Sequence, residues 1–319
     1  MIRPNLIKNY KPNVLNIKLP QILFDKFKEY HVINNNYEKV SLLKRKKVLG
    51  KNSKLKKWVS KIKKKLKSKN PAIIIDLRKC LINENDKINT FRAFNAFLTI
   101  FFGEMLIQDS NKKKIISVYD RDKSKSMKKG ARYHQTHEGG SIHTDNVNIP
   151  DYWDYLIFSC VAQAPKGGQS LIVDGNKVYE ILKKKFPKKL KILERNFWFE
   201  KRGLSNSLFK SPIILNKRKL IKFRYLRPYL ESAHKKARDL LTNEQIKALN
   251  VLDSILENSR YQKRFKLKEF QTLVTLDFRI LHGRTSFKDY PKAINLDKYN
   301  PAKKQRLKRT MDRMWIKEI

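Results

Sequence analysis

From residue 131 onward, apolar residues arrive in short runs, each closed by Gly, Pro or Asn. The runs are "DYLIFSCVAQ", "QSLIVDG", "PIILN", "KLIKFRYL" and "QTLVTLDFRIL". Short apolar runs with frequent turn formers read as strands, and many in succession predict a β-sandwich or barrel. Two helices interrupt the series. "NKVYEILKKKF" follows Gly175, and "TNEQIKALNVLDSILEN" opens with Thr242 and Gln245 at capping-box spacing. Upstream, "PAIIIDLRK" and "KIISVYD" add strands, and "DKINTFRAFNAFLTIFFGEML" adds a helix with an apolar face. The expected fold is mainly β with flanking helices, in a domain spanning residues 71–319.

Residues 1–70 read as a basic N-terminal extension packed on or beside that domain. Within it, Leu55, Trp58, Val59, Ile62 and Leu66 recur at spacings near three and four in the lysine-rich stretch "KNSKLKKWVSKIKKKLKSK". That period gives one helix an apolar face and a basic face. Such a helix lies either on the core with its lysines in water, or against an anionic membrane or nucleic acid. The chain has 73 Lys and Arg against 29 Asp and Glu, a net charge of +44. A bias toward A/T-rich codons explains abundant Lys, Asn and Ile, but not the scarcity of acids. A surface this positive attracts polyanions and steers acidic substrates, with strong salt dependence. No stretch reaches the roughly 18 apolar residues of a membrane span, and "MIRPNLIKNYKPNVLNIKLP" lacks the apolar core of a secretory signal. Cys80 and Cys160 are too few for a disulfide framework and lack metal-type spacing. Reduced thiols in the cytoplasm are the expectation.

In "GGSIHTDNVN", His143 and Asp145 alternate, so on extended backbone both side chains face one way. Two ligands of different type can then reach one ion. His282, in "LDFRILHGRTSF", is the best third ligand, because it ends an apolar strand just before Gly283. Two histidines and one carboxylate leave three positions open, the facial geometry of non-haem Fe(II) sites that activate O2. His134 and His137, in "YHQTHEGG", have a spacing also found in zinc sites, but no cysteine accompanies them. They are candidate substrate-pocket residues or ordinary loop residues. Asn146 and Asn148 could line the same pocket or form a turn. Arg224 and Arg227, in "KFRYLRPY", could bind an anionic group or lie exposed on a strand.

"GGSIHTD", "APKGGQSLIVDG", "RILHGRTSF" and "RTMDRMWI" follow one another in this order. Together they resemble the taurine dioxygenase/clavaminate synthase-like family of Fe(II)- and 2-oxoglutarate-dependent oxygenases, over roughly residues 130–316. The resemblance implies a double-stranded β-helix, or jelly-roll, core. It implies that His143, Asp145 and His282 hold the metal and form the catalytic centre. It also implies that Ser170 of "GGQS", where the family often has Thr, contacts 2-oxoglutarate. Arg309 of "RTMDRMWI" looks like the arginine that pairs with the cosubstrate's distal carboxylate. A guanidinium suits that task, since it makes two parallel charge-assisted bonds to a carboxylate. Arg306 and Arg313 remain open for the same role, because "KDYPKAINLDKYNPAKKQ" reads as an insertion that lengthens the interval from His282. Phe278 follows Asp277 where the family commonly has Asn.

The implied reaction consumes O2, converts 2-oxoglutarate to succinate and CO2, and removes a hydrogen atom from the substrate. With Asp145 present, hydroxylation or desaturation fits better than halogenation, which in this family needs that carboxylate missing. The charge adds the expectation of a small, anionic or carrier-tethered substrate. Two other functions compete with this one. The first is a basic protein that binds nucleic acid or anionic surfaces on a β-rich scaffold with a non-catalytic metal site; it predicts steeply salt-dependent polyanion binding. The second is a zinc hydrolase using the same three residues, which needs a general base and a metal-bound water.

Overall fold

A larger sheet of seven strands and a smaller one of four face each other in the computed structural model, which describes residues 11–30, 53–68, 70–121, 137–201, 204–218 and 220–318. The larger sheet runs Val14–Lys18, Ala72–Asp76, Gln271–Leu276, Tyr155–Ala162, Thr310–Lys317 and Glu104–Met105, with Ile115–Val118 also paired to Thr310–Lys317. The smaller runs Lys263–Phe265, Ser170–Asp174, Ile280–Arg284 and Gly140–His143. This is the mainly β jelly roll with flanking helices that the sequence implied.

Side-chain alternation decides what each sheet face meets. Ile74, Cys160, Leu273 and Met311 of the larger sheet meet Ile172 and Ile280 of the smaller one in the inter-sheet core. Ile73, Ile75, Ile157, Val161 and Val274 point the other way, toward the helices Gln21–Tyr30, Ser53–Lys67 and Lys87–Phe102. The outer face of the smaller sheet, with Leu171, Val173 and Leu281, is covered by Gly175–Lys185, Pro187–Leu193 and Asn243–Glu257.

The basic helix Ser53–Lys67 spends its apolar face on the core: Leu55, Val59, Ile62 and Leu66 are buried. Lys63 and Lys67 pair with Glu318 at 3.1 and 2.8 Å, and Lys54, Lys57, Lys61 and Lys64 stay at the surface. Removing the Leu66 side chain, which is 0% exposed, leaves a cavity beneath this helix. Leu66→Ala is therefore expected to destabilise the fold by about 2–5 kcal/mol, measured as a lower urea midpoint at unchanged slope. An unchanged midpoint would mean the helix does not contribute to the core.

"QTLVTLDFRIL" reads as one strand in sequence but makes two. The chain leaves the larger sheet after Leu276, turns through residues 277–279 and enters the smaller sheet at Ile280. Arg279 fixes this corner, donating from Nε and Nη2 to the two oxygens of Asp174 at 2.9 and 2.7 Å. Three helices beyond the four expected also appear among the described residues, Gln21–Tyr30, Pro187–Leu193 and Arg227–Lys236. The last two each have a proline in the first turn, where the missing N–H breaks no helical bond. No helix among the described residues is long and apolar enough to cross a membrane, and Cys80 and Cys160 are free and buried.

Candidate active site and metal centre

His143 ends the strand Gly140–His143 and stands directly opposite His282 in the antiparallel pairing. Their ring centres are 4.6 Å apart. Asp145 lies just beyond the strand, with its Oδ1 3.8 Å from His143 Nε2 and 3.9 Å from His282 Nε2. One ligand atom from each of the three falls within 4.8 Å of the others, close enough to share one ion.

The electrostatics favour ligation. Burial pushes His143 below the ordinary histidine value, and burial together with the neighbouring His143 takes His282 down to about 3. Burial opposes ionisation of Asp145, but Arg313, the two imidazoles and the Trp315 indole outweigh it and lower the carboxyl to about 2. At neutral pH the imidazoles are neutral and the carboxylate is charged, the states that bind a metal.

The scaffold aims these groups. His143 Nδ1 lies 2.8 Å from the Ser141 carbonyl, which leaves Nε2 for the site. Trp315 Nε1 donates to Asp145 Oδ2 at 2.9 Å, and Arg313 Nη1 lies 3.3 Å from the same oxygen. Thr144, between the ligands, faces the opposite way; its N–H donates to Tyr225 O at 2.9 Å and its Oγ1 accepts from Tyr225 N–H at 3.0 Å. Asp277, on the sheet-crossing corner, accepts the backbone N–H groups of Asp145 and Asn146 at 3.2 and 3.0 Å and also the Asn146 side-chain amide. An amide in its place offers one acceptor oxygen where two are used. Asp277→Asn is thus expected to weaken Fe(II) binding about 10–100-fold, read by anaerobic metal titration; an unchanged affinity would mean the loop is set by other contacts.

A cavity between the sheets opens beside the three ligands. Ser170, Thr275, Arg284, Arg309 and Arg313 supply its polar lining, and Phe158, Leu273 and Met311 much of its apolar wall. Thr275 Oγ1 is buried and has no hydrogen-bond partner among the described residues. Gly168, at φ +68°, packs against Arg309; a Cβ there would come within 2.8 Å of Arg309 Nε. Glycine both adopts that left-handed conformation and leaves room for the guanidinium.

The family model "Taurine catabolism dioxygenase TauD, TfdA family" matches residues 77–311. The chain belongs to the TauD/TfdA family of dioxygenases. Solved structures share the fold at low identity. Asparagine oxygenase in complex with Fe(II), 2S,3S-3-hydroxyasparagine and succinate superposes with a TM-score of 0.64 at 12% identity, covering 94% of this chain and 93% of that one. The non-haem iron oxygenase OrfP with Fe and alpha-ketoglutaric acid gives 0.64 at 11% identity, with 96% and 94% covered. PvcB from Pseudomonas aeruginosa gives 0.50 at 14%, with 82% and 79% covered. No curated protein sequence matches the chain.

Dioxygenases of this kind work with Fe(II) and 2-oxoglutarate, and the residues present fit both. Two neutral imidazoles and an ionised carboxylate suit a divalent iron. The adjoining cavity has three guanidiniums, one carboxylate and an unsatisfied hydroxyl among its lining residues, which suits an anion rich in acceptor oxygens.

The structure brings His143, Asp145, His282, Ser170, Arg309 and Arg313 around one space. It leaves Arg306 out, exposed with its Cζ 4.4 Å above the Tyr290 ring. His137 is 44% exposed, with Nδ1 3.4 Å from Asp120, and does not line the cavity; His134 lies outside the described residues. Asn146 and Arg224 are spent inside the scaffold. Asn146 Oδ1 accepts the Trp153 N–H at 3.0 Å in addition to its bonds with Asp277. Arg224 is fully buried, donates to the carbonyls of Ile149 and Pro150 at 2.5 and 2.6 Å, and stacks on Tyr152. Arg227 pairs with Glu231 and Asp253. Sequence reasoning missed Arg284 and Trp315, although each sits two residues beyond a residue it named, on the same strand face.

Proposed function

We propose that this dioxygenase is Fe(II)- and 2-oxoglutarate-dependent and hydroxylates a small anionic substrate, free or carrier-tethered, with release of succinate and CO2. The supporting observation is one cavity with a metal-binding triad at one end and Ser170 with arginines beyond it. His143, Asp145 and His282 would hold the iron; Arg309 and Ser170 would hold the distal carboxylate of the cosubstrate. When bound, iron and 2-oxoglutarate supply the oxidation of a C–H bond by O2. Arg313 is available to orient an anionic substrate group, since Gln108 Oε1 accepts from its Nε at 2.9 Å and fixes the guanidinium beside Asp145. Asparagine oxygenase has been solved with 3-hydroxyasparagine and OrfP with (3S)-hydroxy-L-Arg, so amino acids and amino-acyl carriers come first in a substrate search.

The net charge of +44 supports electrostatic attraction of anionic carriers and, more generally, of polyanions. The two free, buried cysteines support a reducing cytoplasmic setting. The deciding experiment is an anaerobic titration with Fe(II) and 2-oxoglutarate that follows the visible absorption of the chelate. An absorption band followed by substrate-dependent succinate release on admitting O2 is the expected result. No band at any concentration would remove the oxygenase reading, and salt-dependent polyanion binding would then be the property to measure.

A further inference from the structure

We propose that a second groove, built against the Trp153–Trp315 pair, binds an amphipathic anion: an apolar chain that carries an amide N–H and ends in a carboxylate, as an N-acyl amino acid does. No residue is common to this groove and the cavity beside the metal ligands. It measures about 570 Å3, within the roughly 300–1,000 Å3 of small-molecule sites. The strand Glu104–Met105 and the residues after it supply one wall, and the loop 148–152 another. Lys201 and Leu204, beyond the strand Asn196–Glu200, supply the third. Leu106 and Ile149 pack on the cluster of Trp153, Leu156 and Trp315, whose two indoles stack with centres 4.3 Å apart. The walls are held in place. Leu106 N–H donates to Trp315 O at 2.9 Å, Arg224 donates to the carbonyls of Ile149 and Pro150 at 2.5 and 2.6 Å, and Lys317 Nζ donates to Tyr152 O.

Each part of that ligand answers a feature of the lining. Met105, Leu106, Ile107, Ile149, Tyr152 and Leu204 make much of it apolar, and Ile107 is 40% exposed, so folding leaves apolar surface that a hydrocarbon chain would cover. Asn148 Oδ1 is buried and has no hydrogen-bond partner among the described residues. A buried acceptor without a donor is unfavourable, and a ligand N–H relieves it. Lys114, Lys201 and Lys317 line the groove and are partly covered, whereas its two carboxylates, Glu104 and Asp151, are exposed and better screened by solvent. Neither Lys114 nor Lys201 pairs with a carboxylate among the described residues. The balance of charge therefore favours a ligand with an anionic end.

The test is a calorimetric titration of the full chain with N-decanoylglycine, its methyl ester and N-decanoylsarcosine, all at one ionic strength. The ester lacks the charge, and the sarcosine compound lacks the amide N–H. Lys114→Gln combined with Lys201→Gln is expected to weaken the acid about five- to twentyfold, a few-fold for each partly exposed ion pair, and to leave the ester within about twofold. Ile107→Ser should weaken acid and ester alike, because it removes apolar contact only. N-decanoylsarcosine should bind several-fold more weakly than N-decanoylglycine, and Asn148→Ala should abolish that difference. Lys54→Gln combined with Lys57→Gln removes the same charge from the helix Ser53–Lys67, outside the groove, and should leave all three affinities unchanged. Equal losses in the two lysine pairs would reduce the effect to the general charge of the chain and overturn the proposal. Failure of the acid to bind the unmodified protein would overturn it too.

Discussion

His143→Ala is expected to abolish turnover and to weaken Fe(II) binding by more than the roughly 10–100-fold that follows loss of a group merely supporting a ligand. The substitution removes one of three donors at a site where His282 and Asp145 alone cannot complete the facial arrangement. The fold should persist, because His143 ends its strand and its 2.8 Å contact with the Ser141 carbonyl is local, two residues back. Thermal unfolding of the metal-free variant close to that of the metal-free parent, with the chelate absorption gone, is the combination to look for. Retained iron with full activity would move the metal centre elsewhere.

Arg309→Ala is expected to raise the 2-oxoglutarate concentration needed for half-maximal rate by about two orders of magnitude or more. A bidentate guanidinium–carboxylate contact contains two charge-assisted bonds of about 1.5–3 kcal/mol each, and about 1.4 kcal/mol is a factor of ten. Much of the rate should return at saturating cosubstrate, since the metal ligands are untouched. The backbone of Arg309 keeps its 2.7 Å bond to Asp289, so the entry into the strand Thr310–Lys317 is preserved. Arg306→Ala serves as the comparison. Its guanidinium lies outside the cavity on Tyr290, and cosubstrate affinity should not change. Equal losses in the two variants would point to a surface-charge effect and not to a seat for the carboxylate.

The candidate metal ligands were named from a local signal, His143 and Asp145 alternating and His282 closing an apolar run at a glycine. The structure brings the three together, although Asp145 falls just past the strand Gly140–His143 and His282 in the middle of Ile280–Arg284. The choice among Arg306, Arg309 and Arg313 was not legible, because the insertion hides where the last strand begins. Once the strand is placed at Thr310–Lys317, Met311, Arg313 and Trp315 share the cavity face, and Arg309 joins them at its threshold. The corner at Asp277 was also hidden. "QTLVTLDFRIL" is apolar on both sides of it, and nothing in composition says that one half belongs to each sheet. Arg224 misled for a related reason. A lone arginine on a strand suggests a ligand contact, yet here it satisfies two carbonyls of the loop that follows the metal ligands.

The strand Val14–Lys18 runs parallel to Ala72–Asp76 in register from Val14–Ala72 to Lys18–Asp76, and so covers the rim of the larger sheet. A chain shortened to begin at residue 71 would not simply lose a basic tail. It would uncover the backbone donors and acceptors of "AIIID", a β-branched and almost uncharged segment. Such an edge is a template for pairing with other chains. Trimming the N-terminal segment to simplify purification is therefore expected to favour aggregation while every residue around the cavity is retained.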